Sequence, residues 1–231
     1  MIAYLVPRAA SFAGDIDGLF TLILFTVGFW FLVAQGALFT FIFRFRRRDG
    51  VRAQYITGEQ KAEKRWIAIP HFLVILCDIV LIAGTIMVWV NVKQTLPPAE
   101  ETVRIIAQQW AWTFVQPGPD GKLDTGDDIT TIDELHVKTD TVYHFELVAK
   151  DVIHSFSVPV FRLKQDAVPG RIITGWFKPI RTGQFDIQCA EMCGIGHGLM
   201  GARLVIESKA DHEQWMSAQR PEAGLARVAL R

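Results

Sequence analysis

The segment Cys189-Ala-Glu-Met-Cys-Gly-Ile-Gly-His-Gly-Leu-Met200 places two thiols, an imidazole and a thioether within twelve residues. Three chemistries compete for it. A Cys189–Cys193 disulfide is the ordinary outcome for a cysteine pair in an oxidising compartment. A structural zinc site wants four Cys or His ligands, and a thioether is a poor one. Thiolate, imidazole and thioether together favour copper. A β-sandwich with Cys, His and Met in one loop, and a further His from an earlier strand, is an electron-transfer arrangement. His154, in Asp151-Val-Ile-His-Ser-Phe156, sits on a short expected strand upstream of the loop and supplies that second imidazole. His71 falls in a membrane-type segment and His212 in the tail, while His136 and His144 read as strand or surface residues.

The loop needs a framework, and the chain has two kinds. Lys and Arg number 24 and Asp and Glu 24, so no basic excess points to nucleic acid. The apolar residues are concentrated in the first ninety positions. Gly18–Phe43 is free of charge, and Trp66–Val92 contains one charge, Asp78. At about 1.5 Å per residue each exceeds the roughly 30 Å apolar thickness of a bilayer, so both are expected to span it, over about 17–45 and 65–93. Asp15 and Asp17 precede the first run and Arg44, Arg46, Arg47 and Arg48 follow it, the reverse of a secretory signal, so the run is expected to be retained.

The intervening loop also carries Arg52, Lys61, Lys64 and Arg65. The positive-inside rule puts it in the cytoplasm and both termini on the other side. Pro70 is expected in the first turn of the second helix, where its missing N–H costs nothing. Cys77 reads as a small apolar residue within that helix. Asp78 lies near the bilayer midplane, where an acid faces a protein neighbour or serves a proton path. A two-helix hairpin buries little alone, so a larger membrane partner is expected.

After Thr95-Leu-Pro-Pro98 the pattern changes to short alternating runs. Val103–Phe114, Ile129–Val137, Val142–Val148, Ile153–Val158, Ile172–Phe177, Gln184–Gln188 and Ala202–Ile206 are expected strands, separated by turn residues. Their number and spacing suggest a β-sandwich or Greek-key barrel. Asp211–Gln219 is expected to be a short helix. The fold class is thus an α+β membrane protein: a helical hairpin over 1–94, an all-β Greek-key domain over 95–208 and a C-terminal helix and tail over 209–231.

The cysteine loop resembles the binuclear copper (CuA) motif of cytochrome c oxidase subunit II, C-x-E-x-C-x-x-x-H-x-x-M. The likeness extends to Asp151–Phe156, to Lys164-Gln-Asp-Ala-Val-Pro-Gly-Arg171, to Gln109-Trp-Ala-Trp112 and to Glu63-Lys-Arg-Trp-Ile-Ala-Ile-Pro70. It implies a cupredoxin domain in which Cys189 and Cys193 bridge two copper ions. His154 and His197 would each bind one ion, Met200 would be a weak ligand to one and the Glu191 carbonyl to the other. Gly194, Gly196 and Gly198 would let the loop fold tightly.

The resemblance also implies electron arrival at Trp110 with Trp112 close by, both expected on one strand face; core aromatics are the plainer account. It implies magnesium at the Glu191 carboxylate, at the boundary with a catalytic subunit, against a plain surface carboxylate. Asp166, Lys164 and Arg171 would share that boundary.

Asp120, Asp124, Asp127 and Asp128 depart from the family pattern. They offer oxygen ligands for calcium, but they lack EF-hand spacing, and a solvated hairpin turn is the simpler reading. An acidic loop could also steer a basic cytochrome. The expected function is an inner-membrane electron-transfer subunit that takes electrons from a c-type cytochrome to haem-copper subunit I, among other membrane subunits. No haem-attachment C-x-x-C-H is present, so oxygen chemistry would lie on that partner. A CuA-bearing nitric oxide reductase, a membrane-anchored copper chaperone and a disulfide-bonded anchor are the rival readings.

Overall fold

The structure is a computed structural model that describes residues 5–52 and 55–219. The tail expected over the last dozen residues lies outside the described residues. Two compact units are present: a helical one from Asp17 to Asn91, and one that joins the N-terminal segment to everything from Val92 onward.

In the helical part, α1 covers Ala13–Arg44 and α2 covers Lys61–Trp89. A π-helical turn, Val90–Gln94, continues α2. Both helices are long and apolar enough to cross a membrane. Each begins several residues earlier than composition suggested. Asp15 therefore lies in the first turn of α1, where its carboxylate complements the helix dipole. At α2, Gln60 and Glu63 form a reciprocal capping box that starts the helix ahead of the apolar run. Pro70 consequently stands inside α2, not in its first turn as expected. The two helices approach closely at Gly84, where a Cβ would lie 3.4 Å from the Leu22 side chain. Cys77 is more than filler, because Trp30 Nε1 donates to its sulfur at 3.1 Å.

Among the described residues the β unit has ten strands: β1 Glu101–Gln108, β2 Ala111–Gln116, β3 Ile129–Ile132, β4 Glu134–Lys138, β5 Tyr143–Ala149, β6 His154–Val158, β7 Leu163–Ala167, β8 Ile173–Phe177, β9 Gly183–Cys189 and β10 Gly201–Glu207. The sequence pattern suggested seven. Val103–Phe114 divides at the Gln109–Trp110 turn into β1 and β2, which pair antiparallel with Gln108 opposite Ala111. Ile129–Val137 divides at Asp133, whose positive φ of 54° turns the chain from one sheet to the other. β7 is largely polar and carried no apolar signal.

The sheets run β3-β2-β1-β5-β8 and β4-β10-β9-β6-β7. The chain crosses between them after β3, β4, β5, β7 and β8, a sandwich of crossed hairpins. In β1, β2 and β5 alternate residues are buried, whereas β4, β6 and β10 bury three in a row. Val103, Ile105, Trp112, Phe114, Phe145 and Leu147 of one sheet, and Leu135, Phe156, Ile187 and Leu204 of the other, are all buried. At about 25 cal/mol per Å², such burial dominates the stability of the unit. The N-terminal segment is tied to the same unit. Ala9 donates to Val160 O at 2.9 Å and accepts from Ile180 N at 2.9 Å. Arg162 donates to Val6 O at 2.8 Å.

α3, Lys209–Gln219, lies against β4 and β10. Trp215 stacks on His136 at 3.9 Å and 9°. His136, read as an ordinary strand residue, is buried, with Glu134 Oε1 2.8 Å from one ring nitrogen and Glu207 Oε2 3.2 Å from the other.

Candidate metal centre

Two places on one sheet build the site. β6 begins at His154, and β9, its antiparallel neighbour, ends at Cys189, with Phe156 opposite Cys189. The β9–β10 connection carries Glu191, Cys193, His197 and Met200 and returns to Gly201 opposite Gln188. It closes because Cys189 N donates to Met200 O at 3.1 Å, and it is tied to β6 by Ala190 N donating to Ser155 O at 3.0 Å. Three successive i to i+3 hydrogen bonds, from His197 N to Gly194 O, Leu199 N to Gly196 O and Met200 N to His197 O, curl the remainder of the loop.

The sulfur atoms of Cys189 and Cys193 stand 3.8 Å apart. Both are free thiols, well beyond the roughly 2.05 Å of a disulfide. Around them the donors divide into two sets. His154 Nδ1 is 4.0 Å from Cys189 Sγ and the Glu191 carbonyl oxygen 3.3 Å. His197 Nδ1 is 3.7 Å from Cys193 Sγ and Met200 Sδ 3.8 Å. His154 Nδ1 and the two thiols all lie within 4.8 Å of one another.

A single tetrahedral ion would use four of these six donors and leave two idle. A pair of ions would have a use for all six. The donor set, soft and sulfur-rich with imidazole, fits copper.

The orientation of His154 is fixed by Asp151. His154 Nε2 lies 2.8 Å from Asp151 Oδ1. With the proton on Nε2, Nδ1 keeps its lone pair for a metal. Asp151 also accepts from Gln109 N at 2.7 Å and from Val152 N at 2.7 Å. Burial pushes its carboxyl upward, but the hydrogen bonds from His154, Gln109 and Val152 outweigh it and hold Asp151 below the ordinary carboxylate value. Desolvation first, and the Cys189 thiol second, push the Cys193 thiol up to about 11. Metal binding there must displace a proton.

The expected ligand residues thus converge. The two tryptophans do not share a strand face. Trp112 is buried in β2, edge-on to His154 at 6.3 Å and to Phe156 at 5.5 Å. Trp110 sits in the turn before β2, is 40% exposed, and donates from Nε1 to Cys193 O at 3.3 Å. Gln109 Nε2 donates to the same oxygen at 2.8 Å. Gly194, at φ 121°, and Gly196 lie against this pair. A Cβ at Gly194 would stand 2.9 Å from Gln109 Nε2, and one at Gly196 would collide with the Trp110 ring.

Asp166 accepts from Ser155 Oγ at 2.7 Å, next to His154 in the chain, and lies 3.7 Å from Lys164. Arg171 is exposed in the β7–β8 connection and makes no contact with the ligand loop among the described hydrogen bonds. In the acidic loop, Asp124 is paired with Arg104 at 2.5 Å. Asp120, Asp127 and Asp128 accept from Lys122 N, Thr125 Oγ1 and Asp124 N. The carboxylates serve the turn itself. Asp151 and Gln109 are the functional residues that residue-type reasoning left without a role. Their signal was an acid three residues before the histidine, and an amide beside the exposed tryptophan.

Fold and site together define a membrane-anchored, cupredoxin-like domain with a sulfur-rich group of side chains that could hold a metal. A family model described as cytochrome c oxidase subunit II, periplasmic domain, matches residues 119–209. The chain is 32% identical over 235 residues to the alternative cytochrome c oxidase subunit 2 of Bradyrhizobium diazoefficiens, covering 92% of this chain and 83% of that protein. It is 30% identical over 262 residues to cytochrome c oxidase subunit 2 of Thermostichus vulcanus, covering 91% and 77%. Among solved structures, the periplasmic domain of subunit II of the Bradyrhizobium japonicum cytochrome oxidase is similar at 28% identity. It covers 54% of this chain and 96% of that one, with a TM-score of 0.49. The chain belongs to the cytochrome c oxidase subunit II family. It is a membrane subunit of a haem-copper oxidase, an oxidoreductase complex, with a periplasmic β domain.

Proposed function

We propose that this chain is the electron-accepting subunit of its oxidase. It takes electrons singly from a c-type cytochrome and passes them to the haem-copper catalytic subunit that reduces oxygen to water. The observation that carries this reading is the pair of donor sets, His154 with the Glu191 carbonyl and His197 with Met200, about two thiols 3.8 Å apart. Copper held by Cys189, Cys193, His154 and His197, with Met200 and the Glu191 carbonyl beside them, would supply one-electron chemistry there.

The chain's own residues do the remaining work. Asp151 keeps His154 in one tautomer and one orientation. β9 and β10 anchor the two ends of the loop, and Ala190 N donating to Ser155 O ties it to β6, so the donors have little freedom to move when charge changes. Trp110 offers an exposed π-system one hydrogen bond away from the Cys193 carbonyl. In this reading the basic loop between α1 and α2 faces the cytoplasm. The Glu191 side chain is exposed beside the site and faces the catalytic subunit or a magnesium ion held with it.

Rapid mixing of the oxidised, purified complex with reduced c-type cytochrome tests the assignment. The expected result is loss of the copper-thiolate absorption before any haem reduction. Haem reduction that precedes it contradicts the reading.

A further inference from the structure

We propose that Gln109 is a positioning residue for the metal centre: its backbone holds the carboxylate that orients His154, and its side chain holds Cys193. This rests on the reading of the chain as an electron-accepting subunit and adds a residue that sets the geometry of its centre.

The ligands stand on separate pieces of chain. His154 opens β6, whereas Cys193 lies in the connection between β9 and β10. Gln109 belongs to neither piece. It sits in the turn between β1 and β2, on the other sheet of the sandwich. Its backbone N–H donates to Asp151 Oδ2 at 2.7 Å, and Asp151 Oδ1 lies 2.8 Å from His154 Nε2. Its side-chain Nε2 donates to Cys193 O at 2.8 Å. The path from His154 through Asp151 and Gln109 to Cys193 is therefore unbroken. It closes on itself through the thiols, since Cys193 Sγ is 3.8 Å from Cys189 Sγ and Cys189 Sγ is 4.0 Å from His154 Nδ1. One turn of the opposite sheet thus sets where two ligand-bearing segments stand relative to each other. Partners that orient ligands in this way tune the metal they hold.

Two donors reach the Cys193 carbonyl, and they are unequal. The Gln109 contact at 2.8 Å falls well inside the ordinary N–H···O range, while the Trp110 contact at 3.3 Å lies just past it. The amide therefore supplies most of the restraint on that carbonyl. Gly194 leaves it room, because a Cβ there would stand 2.9 Å from Gln109 Nε2. Cys189 is fixed by other means. It ends β9 opposite Phe156, and its N–H donates to Met200 O at 3.1 Å. Loss of the Gln109 amide should accordingly free Cys193 and leave Cys189 in place. That asymmetry separates a positioning role from a general contribution to stability.

The test uses the purified complex, depleted of copper, and its Gln109→Leu variant. Leucine removes the amide and keeps the backbone N–H on Asp151, at an exposed position where substitution costs the fold little. Alkylation of each thiol by iodoacetamide is followed by mass spectrometry. Cys193 is expected to react roughly three- to tenfold faster in the variant, the effect of one lost hydrogen bond, while the Cys189 rate changes by less than about twofold. With copper restored, the variant should show a lower one-electron reduction potential, because an N–H dipole that favours the added electron is gone. An unmoved Cys193 rate, an equal acceleration of both thiols, or an unchanged potential overturns the proposal. The copper-free labelling stands apart from the electron-accepting reading, which is overturned instead by a wild-type complex that takes up copper yet shows no one-electron step.

Discussion

His154 turns Nε2 onto Asp151 Oδ1 at 2.8 Å and leaves Nδ1 facing Cys189 Sγ at 4.0 Å. Asp151 simultaneously receives the backbone N–H of Gln109, the residue before Trp110. One carboxylate therefore fixes both a ligand and the turn that carries the exposed indole. Asp151→Ala is expected to lower copper affinity by about 10- to 100-fold, the usual cost of losing a partner that orients a ligand. Asp151→Asn, which keeps the shape, should retain more affinity. Competition with a copper chelator measures both.

Gly196 has no room for a side chain against the Trp110 ring. Gly196→Ala is expected to destabilise the domain by about 1–3 kcal/mol through overpacking. Thermal unfolding of the purified complex reads this as a lower first transition. Gly198→Ala, where a Cβ meets nothing within 4 Å, serves as the control and should leave the transition in place.

Met200 is buried with its sulfur 3.8 Å from Cys193 Sγ. Met200→Leu keeps the apolar volume and removes the soft donor. Copper content should be unchanged, with a shifted reduction potential. Loss of half the copper would show that Met200 contributes more than a weak bond. Potentiometric titration with parallel metal analysis separates the two results.

Burial first, and nearby Lys138 second, hold the His212 imidazole below its ordinary value. Glu101, Glu207 and the His136 backbone oppose this, and Trp215 packs beside the ring. The neutral ring is the one that suits the folded state. Its contribution is fully present above about pH 6.5 and is lost as pH falls below that value. Unfolding temperatures measured from pH 7.5 to pH 5 should therefore decline, and His212→Gln should flatten that decline. An identical slope in the variant would contradict the assignment.

The membrane helices and the ligand loop were legible because long apolar runs and soft ligands at short spacing are local signals. Two features were not local. The separation of Val103–Phe114 into β1 and β2 depends on Gln109 and Trp110 being held by Asp151 and the Cys193 carbonyl, residues far along the chain. That same turn sends Trp110 outward and Trp112 inward, so simple alternation misassigned their common face. Pro70 was misplaced because the cap at Gln60 and Glu63 starts α2 in a charged stretch that carries no apolar pattern. The role of Asp124 followed only from its pairing with Arg104, twenty residues away.

The central claim is that two thiols, two imidazoles, a thioether and a carbonyl hold two coppers as one centre. Metal analysis of the purified complex, joined to electron paramagnetic resonance of the oxidised form, tests it most directly. Two coppers at this centre for each copy of the chain, with one unpaired electron spread over both nuclei, is the predicted result. A single exchangeable ion, or no metal with Cys189 bonded to Cys193, would contradict it.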